Sequence, residues 1–197
     1  MKVIYLLFFV FLYSSEQVFV ACEGNYYQSN GSLWTISDDE VYGYEGNPLG
    51  QVVQSVLVHE DKLYVVVNVP GSIQVFDIHE DGLTLVDYVD TQYSGPREML
   101  IVDDYMYFTN WYTADIKKLN LSTLEIENEI AMPGLPEDIV LHDNKIYVSI
   151  IMNSDWSDGN LIASIDTQSD SIVDTYEVGS GPGDILVFED ELYVSRT

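Results

Sequence analysis

The chain has 197 residues, of which 47% are hydrophobic, so it is long enough to bury a core and is not intrinsically disordered. Seven lysines and arginines face 33 aspartates and glutamates, giving a formal net charge of −26. This charge excludes nucleic-acid binding, because phosphate contacts need cationic side chains, and it disfavours docking of the protein surface on anionic lipids.

The N-terminus predicts export. Within residues 1–21, the basic Lys2 is followed by an apolar run at 3–13. This run has the length of a signal-peptide core and is too short to span a bilayer. Cys22 is the single cysteine and follows Ala21, an arrangement that resembles the lipidated cysteine of a bacterial lipoprotein. Ordinary cleavage after Ala21 and an uncleaved anchor are the alternatives. We expect a cell-envelope protein that faces the periplasm or the cell surface, held to the membrane only by this N-terminal lipid, and otherwise a secreted protein.

A repeat occupies the rest of the chain. Four strand-like segments contain a tyrosine at the same place, and consecutive tyrosines are separated by 43, 40 and 46 residues (Tyr64, Tyr107, Tyr147 and Tyr193). The last three each follow a proline by 11 residues (Pro96, Pro136 and Pro182). Each unit predicts four short strands, with acidic pairs such as Asp103-Asp104 at the turns. Four strands in about 40–45 residues is the size of one propeller blade.

The sequence therefore predicts an all-β protein, a β-propeller of four-stranded blades over residues 31–197. Three complete blades are expected at 51–93, 94–134 and 135–180, with a half-blade at 31–50 before them and another at 181–197 after them. Residues 22–30 are expected to form a linker. The half-blades either pair to close a four-bladed ring or belong to a partial ring of about seven blades. The partial ring is favoured because the last strand ends with an unpaired edge.

Two features of the repeat point to a ligand. Glu98, Asp138 and Asp184 each stand two residues after a repeat proline, on the strand expected to line the central channel. Carboxylates at one level would form a partial acidic ring for a divalent cation such as calcium or for an amine-bearing ligand. Abundant acidic residues also produce such a coincidence by chance. The third blade carries a six-residue insertion within Met152–Gly159, which predicts a polar rim loop exposing Trp156.

The segment Tyr107-Phe-Thr-Asn110 differs by one residue from the Tyr-Val-Thr-Asn signature of surface-layer-like propeller repeats, and Tyr64-Val-Val-Val-Asn68 is a looser copy. With the Gly-Pro lead and the Ile165-Asp166 strand end, the chain resembles the YncE-like, YVTN-repeat family from about Gly31 onwards. The resemblance implies an exported seven-bladed propeller.

The leading hypothesis is an exported, membrane-anchored binding or protein-interaction scaffold without catalysis or a resident cofactor. Its partner would be a protein, a small molecule or a cationic ligand. No Gly-x-Ser-x-Gly nucleophile elbow and no histidine metal motif is present in the sequence. The alternative is a metal-dependent propeller hydrolase or lactonase that uses Glu98, Asp138 and Asp184 as channel ligands.

Overall fold

The computed structural model describes residues 16–196 and confirms the all-β prediction. Three central sheets each contain four antiparallel strands in simple sequential order. Their strands are β4 Val52–His59, β5 Lys62–Val69, β6 Ser72–His79 and β7 Gly82–Asp90; β8 Pro96–Val102, β9 Tyr105–Asn110, β10 Asp115–Asn120 and β11 Ile126–Ala131; and β12 Leu135–His142, β13 Lys145–Met152, β14 Asp158–Asp166 and β15 Ser171–Glu177. No helix in this part of the chain is long and apolar enough to cross a membrane.

The acidic pairs form the tight turns that the sequence predicts. Glu60, Asp103 and Asp143 have φ values of 53°, 52° and 48°, in the left-handed region. Short polar side chains tolerate this conformation better than branched apolar ones, because they form local backbone hydrogen bonds. Each turn reverses the chain after an inner strand, so the tyrosine strand pairs directly with it.

The hydrophobic core lies between neighbouring sheets. One cluster joins the first complete blade to the second through residues such as Val66 and Phe108. Another joins the second to the third through Ile116 and Ile146, and a third packs Leu33 of the N-terminal sheet against the first complete blade. The first two central sheets therefore pack apolar clusters on both faces and the third on the face towards the second, which fixes the blades side by side around their inner strands β4, β8 and β12.

The N-terminal sheet corrects the sequence prediction. It has three strands, not two: β1 Gln17–Cys22, β2 Ser32–Ser37 and β3 Glu40–Gly43. The first of these strands covers residues assigned to the leader and to the start of the linker. Gln17 pairs with Ser37 as Lys62 pairs with Asp77, so β1 is a tyrosine strand with Phe19 in the tyrosine position. Phe19 packs against the core cluster around Leu33, which supplies the physical reason for the strand. The apolar run at 3–13 lies outside the described residues.

The terminal sheets do not pair with each other. The last sheet consists of β16 Pro182–Phe188 and β17 Glu191–Arg196 alone. A four-bladed closure requires β17 to pair with β2, but both edges of β2 are already hydrogen-bonded, one to β1 and the other to β3. With β1 in place the two terminal sheets therefore do not close a four-bladed ring, and the fold is an open arc of blades consistent with a partial propeller.

The loops divide into two faces of different chemistry. Turns between the first and second, and the third and fourth, strands of each blade lie at one end and carry most of the acidic pairs, so we name this end the acidic face. Connections between the second and third strands, and between blades, lie at the other end. Because six exposed or half-exposed rings gather there (Tyr26, Tyr27, Tyr93, Trp111, Tyr112 and Trp156), we name it the aromatic face.

Candidate functional site at the channel mouth

The three predicted carboxylates occupy equivalent places on adjacent inner strands. Glu98 lies in β8, Asp138 in β12 and Asp184 in β16, each at an irregularity in the pairing with the next strand. The backbone N–H of each donates to a hydroxyl eleven residues later, with N–O distances of 3.0, 3.0 and 2.8 Å (Thr109, Ser149 and Ser195). These bulges re-aim the side chains near the start of the inner strand. All three therefore lie near the start of the inner strands, at the aromatic-face end of the blades, where the sequence predicts the mouth of a central channel.

Glu98 has an unusual protonation state. Its partial burial raises its pKa to about 7, and the negative charges of Asp138, Glu137 and Asp184 add to the effect, while Arg97 opposes it. A carboxyl with this pKa holds its proton for part of the time at neutral pH. It can therefore donate or accept a proton, or ionise when a cation arrives. The influence of Asp138 and Asp184 on Glu98 also indicates that the three groups share one electrostatic environment.

Asp138 is held by the backbone of the neighbouring blade. Its Oδ2 accepts a hydrogen bond from the backbone N–H of Ile185 at 2.6 Å, and its Oδ1 accepts one from Ile139 at 2.8 Å. Asp184 is exposed. Across residues 16–196, no group of three or more histidine, cysteine, aspartate or glutamate side chains is arranged to hold a metal ion. Cation binding by these carboxylates stays a prediction.

Sequence reasoning missed a polar bridge one residue earlier on the same strands. Gln54, Arg97 and Glu137 occupy equivalent positions on β4, β8 and β12. The Arg97 guanidinium donates from Nη1 to Gln54 at 2.8 Å, and from Nε to Glu137 at 3.1 Å, with a second contact to Glu137 from Nη2. The fork geometry makes this a bidentate ion pair between blades. The sequence did contain a sign of this bridge, because Arg97 and Glu137 each directly follow a repeat proline and carry opposite charges.

Arg97 also contacts one ring of the aromatic face. Its guanidinium carbon lies 4.1 Å from the centroid of the Trp111 ring, a cation–π contact. The other side of this cluster is closed by Trp156, whose ring meets Trp111 edge-on with 6.1 Å between centroids. Trp156 is 57% exposed, as predicted for the inserted loop. The indole Nε1 of Trp111 is buried and has no hydrogen-bond partner among the described residues.

Two rings on this face are held in a strained backbone conformation. Tyr93 has φ 62° and Trp156 has φ 68°, in the left-handed region that bulky side chains rarely adopt. Such a conformation costs about 1–3 kcal/mol. Tyr93 is 61% exposed, so burial of its ring recovers little of that free energy.

Cys22 is exposed at the end of β1 and forms no disulfide. Its sulfur is therefore accessible to solvent in the folded chain. Removal of residues 1–21 would take the rest of β1 out of the N-terminal sheet and free one edge of β2.

No family model and no curated protein sequence matches this chain. Solved structures do match it. A putative 6-phosphogluconolactonase from Bacteroides fragilis has a TM-score of 0.72 at 15% identity, over 91% of this chain and 60% of that one. A putative 6-phosphogluconolactonase from Bacteroides uniformis gives 0.71 at 15%, over 92% and 61%. Hydrazine synthase from Kuenenia stuttgartiensis gives 0.57 at 16%, over 72% and 41%.

These similarities establish the β-propeller fold. Identities of 15–16% are too low to carry an activity from one protein to another. The chain also spans less than two thirds of each of these three proteins.

Proposed function

We propose that this protein is an exported binding scaffold of the YVTN-repeat propeller type, which takes a cationic ligand at the channel mouth on the aromatic face. The observation that carries the proposal is the convergence of Glu98, Asp138 and Asp184 on three adjacent inner strands, where burial and then the neighbouring negative charges raise the pKa of Glu98. A cation entering the mouth relieves the repulsion among these carboxylates. A mouth lined by one sign of charge also raises the local concentration of the oppositely charged ligand.

The experiment uses spermidine as the probe, titrated by calorimetry into the full chain. The triple variant Glu98→Gln, Asp138→Asn and Asp184→Asn keeps side-chain volume and removes three carboxyl groups. We expect roughly tenfold weaker binding of spermidine, equivalent to about 1.4 kcal/mol. Calcium is titrated in parallel, because a hard cation prefers the same oxygen ligands.

A matched control separates the mouth from the net charge. The variant Asp103→Asn, Asp104→Asn and Asp143→Asn removes the same number of carboxyl groups from exposed turns on the acidic face. Spermidine affinity should then stay close to that of the wild type. Equal losses in the two triple variants would mean that spermidine responds only to overall charge, and the proposed mouth site would be wrong.

A second candidate function is a lactonase or related hydrolase. Its support is the carboxyl of Glu98, whose pKa of about 7 suits a general acid or base, on a fold that this chain shares with two putative 6-phosphogluconolactonases. The local charge favours a neutral substrate over a phosphorylated one, because Glu98, Asp138 and Asp184 repel anions and Arg97 is already paired with Glu137. Hydrolysis of gluconolactone with and without calcium, lost in Glu98→Gln, would establish this candidate. Absence of hydrolysis under both conditions would leave the binding scaffold.

The proposed location is the cell envelope, with the lipid on Cys22 as the membrane anchor. The exposure of this single cysteine supports the proposal. Intact-mass analysis of protein purified from membranes tests it, since lipoprotein processing removes residues 1–21 and adds acyl mass at Cys22. A mature N-terminus that retains Gln17 would contradict it and would keep β1 in the first sheet.

A further inference from the structure

We propose that the exposed rings of the aromatic face form a carbohydrate-binding platform that does not use the carboxylates of the cation site. Four tyrosines form its centre: Tyr26 and Tyr27 from the β1–β2 loop, Tyr93 from the β7–β8 loop and Tyr112 from the β9–β10 loop. Tyr27 is 89% exposed. Trp156 extends the surface over the third blade.

The rings form a continuous surface although they come from different blades. Tyr26 and Tyr27 meet edge to face with 5.2 Å between centroids, and Tyr93 and Tyr112 are stacked at 6.4 Å with 22° between ring planes. Partial burial, and then the neighbouring phenol of Tyr26, raise the pKa of Tyr112, which places Tyr26 and Tyr112 beside each other. The platform therefore spans the N-terminal sheet and two complete blades.

Two of these exposed rings, those of Tyr93 and Trp156, stand on residues whose positive φ lowers the stability of the fold. Among the non-glycine residues with positive φ in the described part of the chain, Tyr93 and Trp156 are the aromatic ones, and most of the others are acidic or amide residues at turns. Asparagine or glycine would fit these two positions with less strain. Because the exposed rings gain little from burial, the conformation indicates a role outside folding.

The surroundings of the rings select the class of ligand. The loops that carry them contribute neutral amide and hydroxyl groups (Asn25, Gln28, Ser29, Asn30, Gln92, Thr113, Asn153 and Ser154). Their acids are Glu23 and Asp155, and the Asp155 carboxylate already accepts hydrogen bonds from Ser157. A neutral, hydroxyl-rich ligand matches this surface. The electron-rich faces of tyrosine and tryptophan attract the weakly positive C–H faces of sugar rings, and the amides supply hydrogen bonds to the hydroxyls.

The test titrates three neutral hexasaccharides, cellohexaose, chitohexaose and maltohexaose, by calorimetry and tryptophan fluorescence. We expect binding of at least one, with a change in the emission of Trp156. Tyr93→Asn and Trp156→Gly should each weaken that binding roughly three- to tenfold, the range expected for one aromatic contact. Both variants should melt close to the wild-type temperature, because the relief of backbone strain offsets the loss of the ring contacts with Tyr112 and Trp111.

Controls distinguish this site from the channel mouth. Tyr88→Thr removes an exposed ring from the outer strand β7 and should leave binding unchanged. The triple carboxylate variant should still bind the sugar, while Tyr93→Asn should still bind spermidine. The proposal is overturned if none of the three hexasaccharides binds, or if Tyr93→Asn binds as the wild type does. Loss of polylysine binding in Tyr93→Asn, with no sugar bound, would identify a basic protein partner instead.

Discussion

The raised pKa of Glu98 makes a quantitative prediction about stability. Its pKa is about 7 in the folded protein against an ordinary value of 4.5. Between these two values the folded state binds more protons at Glu98 than the unfolded chain does, so its contribution to stability falls as pH rises. At about 1.36 kcal/mol per pH unit, the whole interval corresponds to about 3 kcal/mol. The loss is complete above pH 7 and absent below pH 4.5.

Glu98→Gln removes this titration and keeps the size of the side chain. Urea unfolding of the variant and the wild type should be compared at pH 5, 6, 7 and 8. The many other carboxylates titrate in both proteins, so the difference between the two isolates Glu98. We expect the difference in unfolding free energy to move in favour of the variant by up to about 3 kcal/mol from pH 5 to pH 8.

Two results would refute this reasoning. A difference that is constant with pH would mean that Glu98 is ionised normally in the folded protein. A difference that moves in favour of the wild type as pH rises would mean that Arg97 dominates and lowers the pKa of Glu98. Asp103→Asn, at an exposed turn of the acidic face, serves as the control for the loss of one acidic side chain elsewhere in the blade.

Three further changes, one of them with a matched control, test contacts within and between blades. Asp170→Ala removes the carboxylate that lies 2.8 Å from the half-buried Lys118 Nζ and that accepts a hydrogen bond from the Tyr107 hydroxyl, so urea unfolding should show a loss of about 1–3 kcal/mol. A loss below about 1 kcal/mol would contradict this. Thr109→Val leaves the Glu98 N–H without its acceptor and should cost about 1–3 kcal/mol, whereas Ser195→Ala, at an exposed site, should cost much less. Arg97→Lys loses the bidentate pair and the Trp111 stack, so tryptophan emission should shift; an unchanged spectrum would argue against that stack.

Local pairing was predictable from the sequence. The interval of 11 residues between Pro96 and Tyr107 spans one strand, one acidic turn and half of the next strand, and all of its contacts form within a hairpin. The alternation of apolar residues and the residues of the turn determine such a hairpin, and contacts with other parts of the chain are not needed to predict it. The blade count followed directly.

The N-terminal strand was missed although its signal was present. Val18-Phe19-Val20 repeats the pattern of Leu63-Tyr64-Val65 in the same register against the following strand. The apolar run at 3–13 immediately precedes these residues, so they were interpreted as the end of a signal peptide and not as a strand. Periodicity alone could not separate the two, because an export signal and a buried strand both require hydrophobic residues.

At the channel mouth, too, some features follow from the sequence and others only from the tertiary structure. The sequence by itself determined that Glu98, Asp138 and Asp184 are equivalent, since equivalence depends only on the repeat. Only the tertiary structure decided that Arg97 joins Glu137, that Asp138 binds the backbone of Ile185 and that Tyr26 meets Tyr112. These contacts connect residues about 40 or more positions apart. They depend on how closely neighbouring blades pack and which way each bulge turns a side chain, and the spacing along the chain fixes neither.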